Sequence, residues 1–292
     1  MSVIERNQID EFFGAEFADA RPEYIGEGWS SFAFRIGDNI IRVPRDTEYI
    51  AEYERDAAIC EFVRPFVNVQ VPKIKVIRGK IAYAEHCEIK GKTWDNAYIF
   101  SLSGREQDVF AADFARFLSQ CHAIDCDVAN KAIPGLRTTT DGGLDLEKCA
   151  MAFDGFLPAP QIDKMISKYA DASEKKDKDV VFCHCDFSIR NAVLDQCGRL
   201  CGIIDWGGAG IVTPAYDFTR FYNPEEPVLF NKMALEYESA CGRKITEESV
   251  ARECLMSNVG AAYWLNEDKC LAPIREREMN KWIIRSVQKH IL

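Results

Sequence analysis

The sequence predicts an α+β fold of two unequal lobes: a small antiparallel sheet over residues 1–90, then a larger, mostly helical part over 91–292. Three observations carry this. Short apolar runs broken by glycine and Asp-Asn turns fill the first part, as strands and hairpins require. After Gly91, apolar residues recur instead at helical spacing. Between the helical stretches lies a compact group of apolar strands, and most of the chemically able side chains follow them in a fixed order. With 292 residues and 47% hydrophobic composition, the chain has the material for a sizeable core and is not a disordered one.

In chain order, residues 2–19 read as an acidic amphipathic helix ending before Arg21-Pro22. YIGEGWSSFAF and NIIRVP flank a Gly37-Asp38-Asn39 turn and read as strands of one hairpin system. Residues 47–64 form a helix with Ile59, Phe62 and Val63 on one side, and VPKIKVI and KIAYAEHCEI add strands around Arg78-Gly79. Residues 105–122 are a helix whose Phe110, Phe114, Phe117 and Leu118 make a core stripe. A Gly- and Thr-rich loop at 134–145 precedes a second helix, 161–178, which frays into the charged run EKKDKD. VVFCHCDF, NAVLD and RLCGIID read as hairpin-like strands, and 228–242 and 246–292 as helices.

Composition narrows the function. Lys and Arg total 36 against 46 Asp and Glu, a net charge of −10. That balance disfavours nucleic acid, whose affinity comes from cationic neutralisation of phosphates, and it suits either a cationic small molecule or a plainly solvated surface. The start has no basic segment and apolar run of the secretory kind, and no stretch approaches the roughly 18 apolar residues that span a bilayer. A cytoplasmic protein without membrane contact is therefore expected, with its twelve cysteines reduced. Their spacing does not suggest structural zinc: Cys183-His-Cys185 and Cys197…Cys201 are not two ligand pairs.

The strongest local signal is His184-Cys-Asp186-Phe-Ser-Ile-Arg-Asn191, followed fourteen residues on by Asp205 in IIDWG. Phosphoryl transfer needs a carboxylate beside the attacking hydroxyl and oxygen ligands for Mg²⁺. Asp186 and Asn191, five apart on one loop, can serve the acceptor and the metal, and Asp205 can supply a second metal ligand. Each residue alone could cap a turn or end a strand; the three together point to kinase chemistry. Gly26-Glu-Gly28-Trp-Ser30-Ser31 lies between two early strands, where glycines admit a phosphate to the backbone and the serines can donate to it. Arg42, on the next strand, would reach under that loop; otherwise it is a surface cation.

On these residues the chain resembles the aminoglycoside phosphotransferases of the protein-kinase-like superfamily, and most of all the branch acting on the 2″-hydroxyl. GEGWSSFAF, IIRVP, EIKG, FARFLSQCHAID, HCDFSIRNAVLD and GRLCGIIDWGGAGI follow that family's order over nearly the whole chain. The resemblance implies a two-lobed kinase-like fold, Asp186 deprotonating the acceptor hydroxyl, Asn191 and Asp205 holding Mg²⁺, and His184 supporting the loop. It implies ATP or GTP as donor, its base read by the backbone of Cys87 and Ile89 in the linker between lobes. The chain departs from the family in having Arg42 for the usual lysine and Asp56 for the usual glutamate. Arg is longer and Asp shorter, so a length-compensated ion pair is expected, with Glu52 one turn earlier as fallback. Cys185 stands for the usual Gly or Asn, and Gly208 and Thr213 stand where acidic residues often follow IDWG.

An aminoglycoside, carrying several ammonium groups, calls for carboxylates and aromatic faces. Glu225 and Glu226 match an acidic cluster that related enzymes set against substrate amines; they equally suit an acidic helix start. Tyr263 and Trp264 are ring-stacking walls or core residues. The reading is a monomeric small-molecule kinase that inactivates an antibiotic. The alternatives are a kinase of another alcohol (a macrolide, choline or a sugar derivative) and a catalytically weakened binding protein that keeps the fold. A protein kinase is disfavoured, because no APE-type segment follows IDWG.

Overall fold

The computed structural model describes residues 6–17, 22–138, 144–175 and 179–291. Helix α1 (Arg6–Glu16) precedes three strands, β1 (Glu23–Glu27), β2 (Ser31–Ile36) and β3 (Asn39–Pro44), then α2 (Ile50–Val63), β4 (Lys75–Ile77) and β5 (Tyr83–Cys87). The five strands form one antiparallel sheet in the order β1-β2-β3-β5-β4. Gly37, at φ +59°, makes the tight β2–β3 turn, a conformation closed to most side chains. One face of the sheet is covered by α1, whose Ile9, Phe12 and Phe13 pack with Phe34, Ile41, Val43 and Tyr83. Of the helix expected over residues 2–19, Arg6–Glu16 is formed, and 2–5 and 18–19 lie outside the described residues.

The rest of the chain is mainly helical: α3 (Asn96–Ser101), α4 (Gly104–Cys121), α5 (Cys126–Ala132), α6 (Leu146–Met151) and α7 (Ala159–Glu174). Two strand pairs follow, built from β6 (Val181–Cys183), β7 (Ala192–Leu194), β8 (Leu200–Ile203) and β9 (Gly210–Val212). Then come a 3-10 segment (Pro214–Phe221), α8 (Val228–Cys241), α9 (Glu247–Glu267), α10 (Ala272–Glu278), a π-helical turn (Met279–Ile283) and α11 (Ile284–Ile291). β7 and β8 make the expected hairpin, but β6 pairs with β9 instead, a strand too short to show period-two patterning. Residues 139–143 of the Thr-rich loop and 176–178 of the charged run lie outside the described residues.

Two packing units set the working geometry. The first joins Ile59 and Val63 of α2 to Phe114 and Phe117 of α4, Phe182, Phe187 and Trp206, so one core spans both sides of the strand pairs. α4 enters this core with a capping box, Ser103 and Glu106, that satisfies its first free amides. The second is helical and gathers Met165 and Tyr169 of α7, Val259 of α9 and Val287 of α11, with Trp29 from the segment before β2 packed against it. The linker after β5 lies directly on β7: Lys92 and Leu194 exchange backbone hydrogen bonds of 2.8 and 2.9 Å. Gly91 makes that approach possible, since a Cβ there would sit 2.6 Å from the Leu194 carbonyl oxygen.

Candidate active site

The loop between β6 and β7 holds Asp186 and Asn191. The Asn191 amide nitrogen donates to the Asp186 carbonyl at 2.8 Å and to its carboxylate at 2.9 Å. Both amide hydrogens are thus used on Asp186, so the oxygen is the atom Asn191 would offer to a cation. His184 lies beneath, fully buried. Its Nδ1 accepts from the Asp186 backbone N–H (3.2 Å) and its Nε2 donates to the Ile204 carbonyl (3.1 Å), an arrangement that selects the Nε2–H tautomer. Cys185 takes φ +63°, which explains why Gly or Asn is the family's usual choice and marks the loop as strained. The Asp186 side chain is 46% exposed, yet desolvation by the surrounding protein raises its pKa, with the Arg220 charge opposing.

Asp217, which sequence reasoning missed, holds this loop in place. It is buried, and its carboxylate accepts from the backbone N–H of His184 (2.9 Å) and of Cys185 (2.8 Å) and from His122 Nε2 (3.1 Å). His122 in turn meets the Tyr237 hydroxyl at 2.8 Å, and Cys183 Sγ lies 3.6 Å from Nε2. The His122, Cys183 and Asp217 ligand atoms are close enough together to hold a metal, but each already has protein partners. Burial drives the Cys183 thiol well above its ordinary pKa, and its Sγ already lies against the Val212 and Thr213 carbonyls. The signal in the sequence was an aspartate within the apolar run AYDFTRF, the pattern of a buried, hydrogen-bonded acid.

Asp205 is delivered by the β7–β8 hairpin: the Ile204 N–H donates to the Asn191 carbonyl at 2.9 Å, which sets Asp205 beside the loop. It also sits at positive φ, +65°, and its side chain is 47% exposed. Arg42 of β3 bridges to it, with Nη2 3.5 Å from the Asp205 carboxylate and Nη1 2.8 Å from that of Asp56 on α2. Asp56, not Glu52, is therefore the residue paired with Arg42; one side of α2 buries Tyr53, Asp56, Ile59, Cys60 and Val63. Burial alone would lower the Arg42 pKa, but the charges of Asp205 and Asp56 outweigh it and raise it further. Desolvation pushes the Asp56 carboxyl up, with Arg42 pulling against it. Arg55, one residue before, donates to the Gly207 carbonyl at 2.5 Å and bolts α2 to the turn after Asp205. Asn191 and Asp205 form a hard, all-oxygen donor set of the kind Mg²⁺ prefers.

Gly26 lies at a β-bulge in β1 and Gly28 follows that strand. The Gly28 N–H donates to the Ser31 carbonyl (2.8 Å), and Arg45 ties the loop with bonds to the Gly28 and Ser30 carbonyls (3.1 and 2.8 Å). Arg45, another residue missed from sequence, is thus a brace for the loop. Ser30 stays partly exposed, whereas Ser31 is buried. In the linker, Ile89 is buried against Gly202, and Cys87 is exposed with its carbonyl 2.9 Å from His86 Nδ1. Gly208 leaves its Cβ position 3.8 Å from Asp186 Cβ, and Thr213 is buried.

On the other side of Asp186 the arrangement is looser. Arg220 Nη2 stands 4.0 Å from the Asp186 carboxylate. Glu225 and Glu226 are both exposed, and Glu225 is paired with Lys289 of α11 at 2.7 Å. Tyr263 and Trp264 meet edge to face at 5.3 Å; Tyr263 packs on the second helical core and Trp264 is 51% exposed. The structure brings Asp186, Asn191, Asp205, Arg42 and Asp56 into one cluster, while Tyr263 and Trp264 make their contacts elsewhere on α9 and its neighbours.

The profile of a phosphotransferase enzyme family matches residues 22–246. Solved structures share the whole fold. The GDP and kanamycin complex of the aminoglycoside phosphotransferase of type 2″-IIIa superposes with a TM-score of 0.74 at 18% identity, covering 98% of this chain and 97% of that one. The gentamicin complex of the type 2″-IIa enzyme gives 0.69 at 19% identity, covering 99% and 97%. A macrolide 2′-phosphotransferase of type I gives 0.68 at 20% identity, covering 95% and 98%. These likenesses show the two-lobed α+β fold of kinase-like enzymes. Among the described residues no helix is long and apolar enough to cross a membrane.

Proposed function

Because this chain belongs to the phosphotransferase enzyme family, we propose that it transfers the γ-phosphoryl group of ATP or GTP to a hydroxyl of an aminoglycoside and so inactivates the antibiotic in the cytoplasm. The observation that carries the reading is the single cluster of Asp186, Asn191, Asp205 and the Arg42–Asp56 pair. Two lobes dividing near residue 90 hold the nucleotide between them. The segment Gly26–Ser31 covers its phosphates, and the backbone of Cys87 and Ile89 reads its base. Asp186 takes the proton of the attacking hydroxyl, and its raised pKa makes it a better base than an ordinary carboxylate. Arg42, held by Asp56, positions the phosphates. Asn191 and Asp205 would hold Mg²⁺, which when bound neutralises charge on the phosphates.

The aminoglycoside assignment draws on the fold's likeness to structures bound to kanamycin and gentamicin. Glu225 and Glu226 would meet the substrate amines, with Tyr263 and Trp264 as ring faces at the margin. One observation favours a second reading, a kinase of a less cationic alcohol such as a macrolide: Lys289 already neutralises Glu225, and macrolide phosphotransferases share the fold. A resistance profile in a sensitive bacterium separates the two. Protection against aminoglycosides by the wild-type chain and none by Asp186→Asn supports the first reading. Protection confined to macrolides supports the second, and equal protection by both chains means that it is not catalytic.

A further inference from the structure

Arg220 sits at the end of the 3-10 segment, beside the catalytic loop, and its guanidinium forms no hydrogen bond among the described residues. Its contacts are electrostatic: Nη2 is 4.0 Å from the Asp186 carboxylate, and the guanidinium carbon lies 4.5 Å from the centre of the Trp282 ring. The side chain is 31% exposed. A guanidinium carries five N–H donors in a planar fork, and those of Arg220, part-exposed and not hydrogen-bonded to the described residues, are open to the acceptors of a ligand. The ring beneath it is fixed. Trp282 lies in the π-helical turn Met279–Ile283 and its Nε1 donates to Glu278 at 3.1 Å. Glu278 is buried and also accepts from Arg277 Nε at 3.1 Å, and Arg277 Nη1 reaches Glu27, beside Gly28, at 2.8 Å. Interruptions of this kind in a helix often mark functional sites. Here the turn props a cation against the proposed base and ties that prop to the glycine-bearing segment.

We propose that Arg220 is a catalytic residue that binds the non-bridging oxygens of the phosphoryl group during its transfer. In that step a lone pair of the acceptor oxygen forms the new O–P bond. The bond between the γ-phosphorus and the β–γ bridging oxygen breaks, and its electron pair leaves on the nucleoside diphosphate. The hydroxyl proton passes to the Asp186 carboxylate. The three non-bridging oxygens keep their negative charge throughout and must approach the Asp186 carboxylate, so a cation between them removes a repulsion at the point of reaction. The flat fork of an arginine matches two phosphoryl oxygens at once. The arginine of the loop itself, Arg190, is exposed, and the following element supplies the cation instead.

The inference rests on the phosphotransfer reading but not on the identity of the acceptor, so its test uses water. The full chain with Mg²⁺ should hydrolyse ATP or GTP slowly, and the corresponding diphosphate with aluminium fluoride mimics the transferring phosphoryl. Arg220→Gln should lower kcat for hydrolysis at least about 100-fold while the KM for nucleotide stays within about 3-fold, in keeping with arginines that stabilise such transition states. Arg220→Lys, which keeps the charge without the fork, should recover part of the rate. The diphosphate alone should still raise the Tm of Arg220→Gln, and the extra rise given by aluminium fluoride to the wild type should vanish. Wild-type turnover in Arg220→Gln, or an unchanged fluoride effect, overturns the proposal whatever its Tm. If Asp186→Asn hydrolyses as fast as the wild type, the phosphotransfer reading itself falls and this one with it. If Asp186→Asn is inactive while Arg220→Gln is not, only Arg220 loses its role.

Discussion

The two sides of Asp186 are built by different rules. On the proposed nucleotide side three arginines cross-link the parts: Arg42 bridges Asp56 and Asp205, Arg55 pins the turn after Asp205, and Arg45 braces the segment above. On the side where the acceptor is proposed to sit, a surface glutamate is neutralised by a lysine from the last helix, while Arg220, proposed to bind the phosphoryl group itself, rests on the Trp282 ring beside Asp186. The contrast fits the chemistry proposed. A phosphate donor presents the same charges in every cycle and can be met by a pre-formed, cross-linked array. The acceptor differs between enzymes of one fold, and the residues facing it are those that can change without disturbing the core.

The comparison can be broken first at its hinge. Asp186→Asn should reduce phosphotransfer by about 10²–10⁴-fold, the range for losing a general base, with nucleotide affinity and Tm preserved. Equal loss of nucleotide binding would place Asp186 on the donor side instead. Next, Asp56→Ala leaves Arg42 with only its longer contact to Asp205 and should destabilise the protein in denaturant unfolding by less than the roughly 3–5 kcal/mol of a fully orphaned buried charge. The double change Arg42→Met, Asp56→Leu should regain most of that stability but not activity. Recovery of activity would mean that the pair is only structural. Arg42→Lys should weaken nucleotide binding and turnover, since the arginine compensates for the short aspartate.

Smaller effects lie on the last helix. His290 stacks on Tyr222, and burial lowers its pKa from 6.5 to about 4. The unfolded chain then takes up the proton first, so stability should fall as pH drops from 6.5 towards about 4, and His290→Gln should flatten that part of the curve. A curve unchanged by the substitution would show that the ring titrates freely. Smallest of all, Lys289→Gln should change stability by less than about 0.5–1 kcal/mol, because the pair it breaks is exposed. By freeing Glu225 it should lower the KM for polycationic acceptors if that carboxylate faces them; an unmoved KM would remove Glu225 from the acceptor site.

What could be read from the sequence follows the same division. Hairpins announced themselves through Gly37-Asp38 and the helices through their apolar spacing, because both are local. That Asp186, Asn191 and Asp205 come together was visible because one loop and the hairpin after it hold all three. The Arg42–Asp56 pair was legible through the register of α2, which buries Asp56 with Ile59 and Val63. Asp217, Arg45 and Arg220 were not, because their roles depend on tertiary contacts with residues 15 to 95 positions away that leave no periodic trace. β9 was missed for a similar reason: a three-residue strand exists only through its partner, β6. Cys185 ran the other way, an oddity in sequence explained once its positive φ was seen.

The central claim is that Asp186 drives transfer of a phosphoryl group from a nucleoside triphosphate to a small-molecule hydroxyl. It is tested most directly by incubating the full chain with Mg²⁺, γ-labelled ATP or GTP, and a panel of aminoglycosides, macrolides and simpler alcohols. The account predicts label on an aminoglycoside with the wild-type chain and none with Asp186→Asn. Label on no acceptor, or the same labelling with Asp186→Asn, would contradict it.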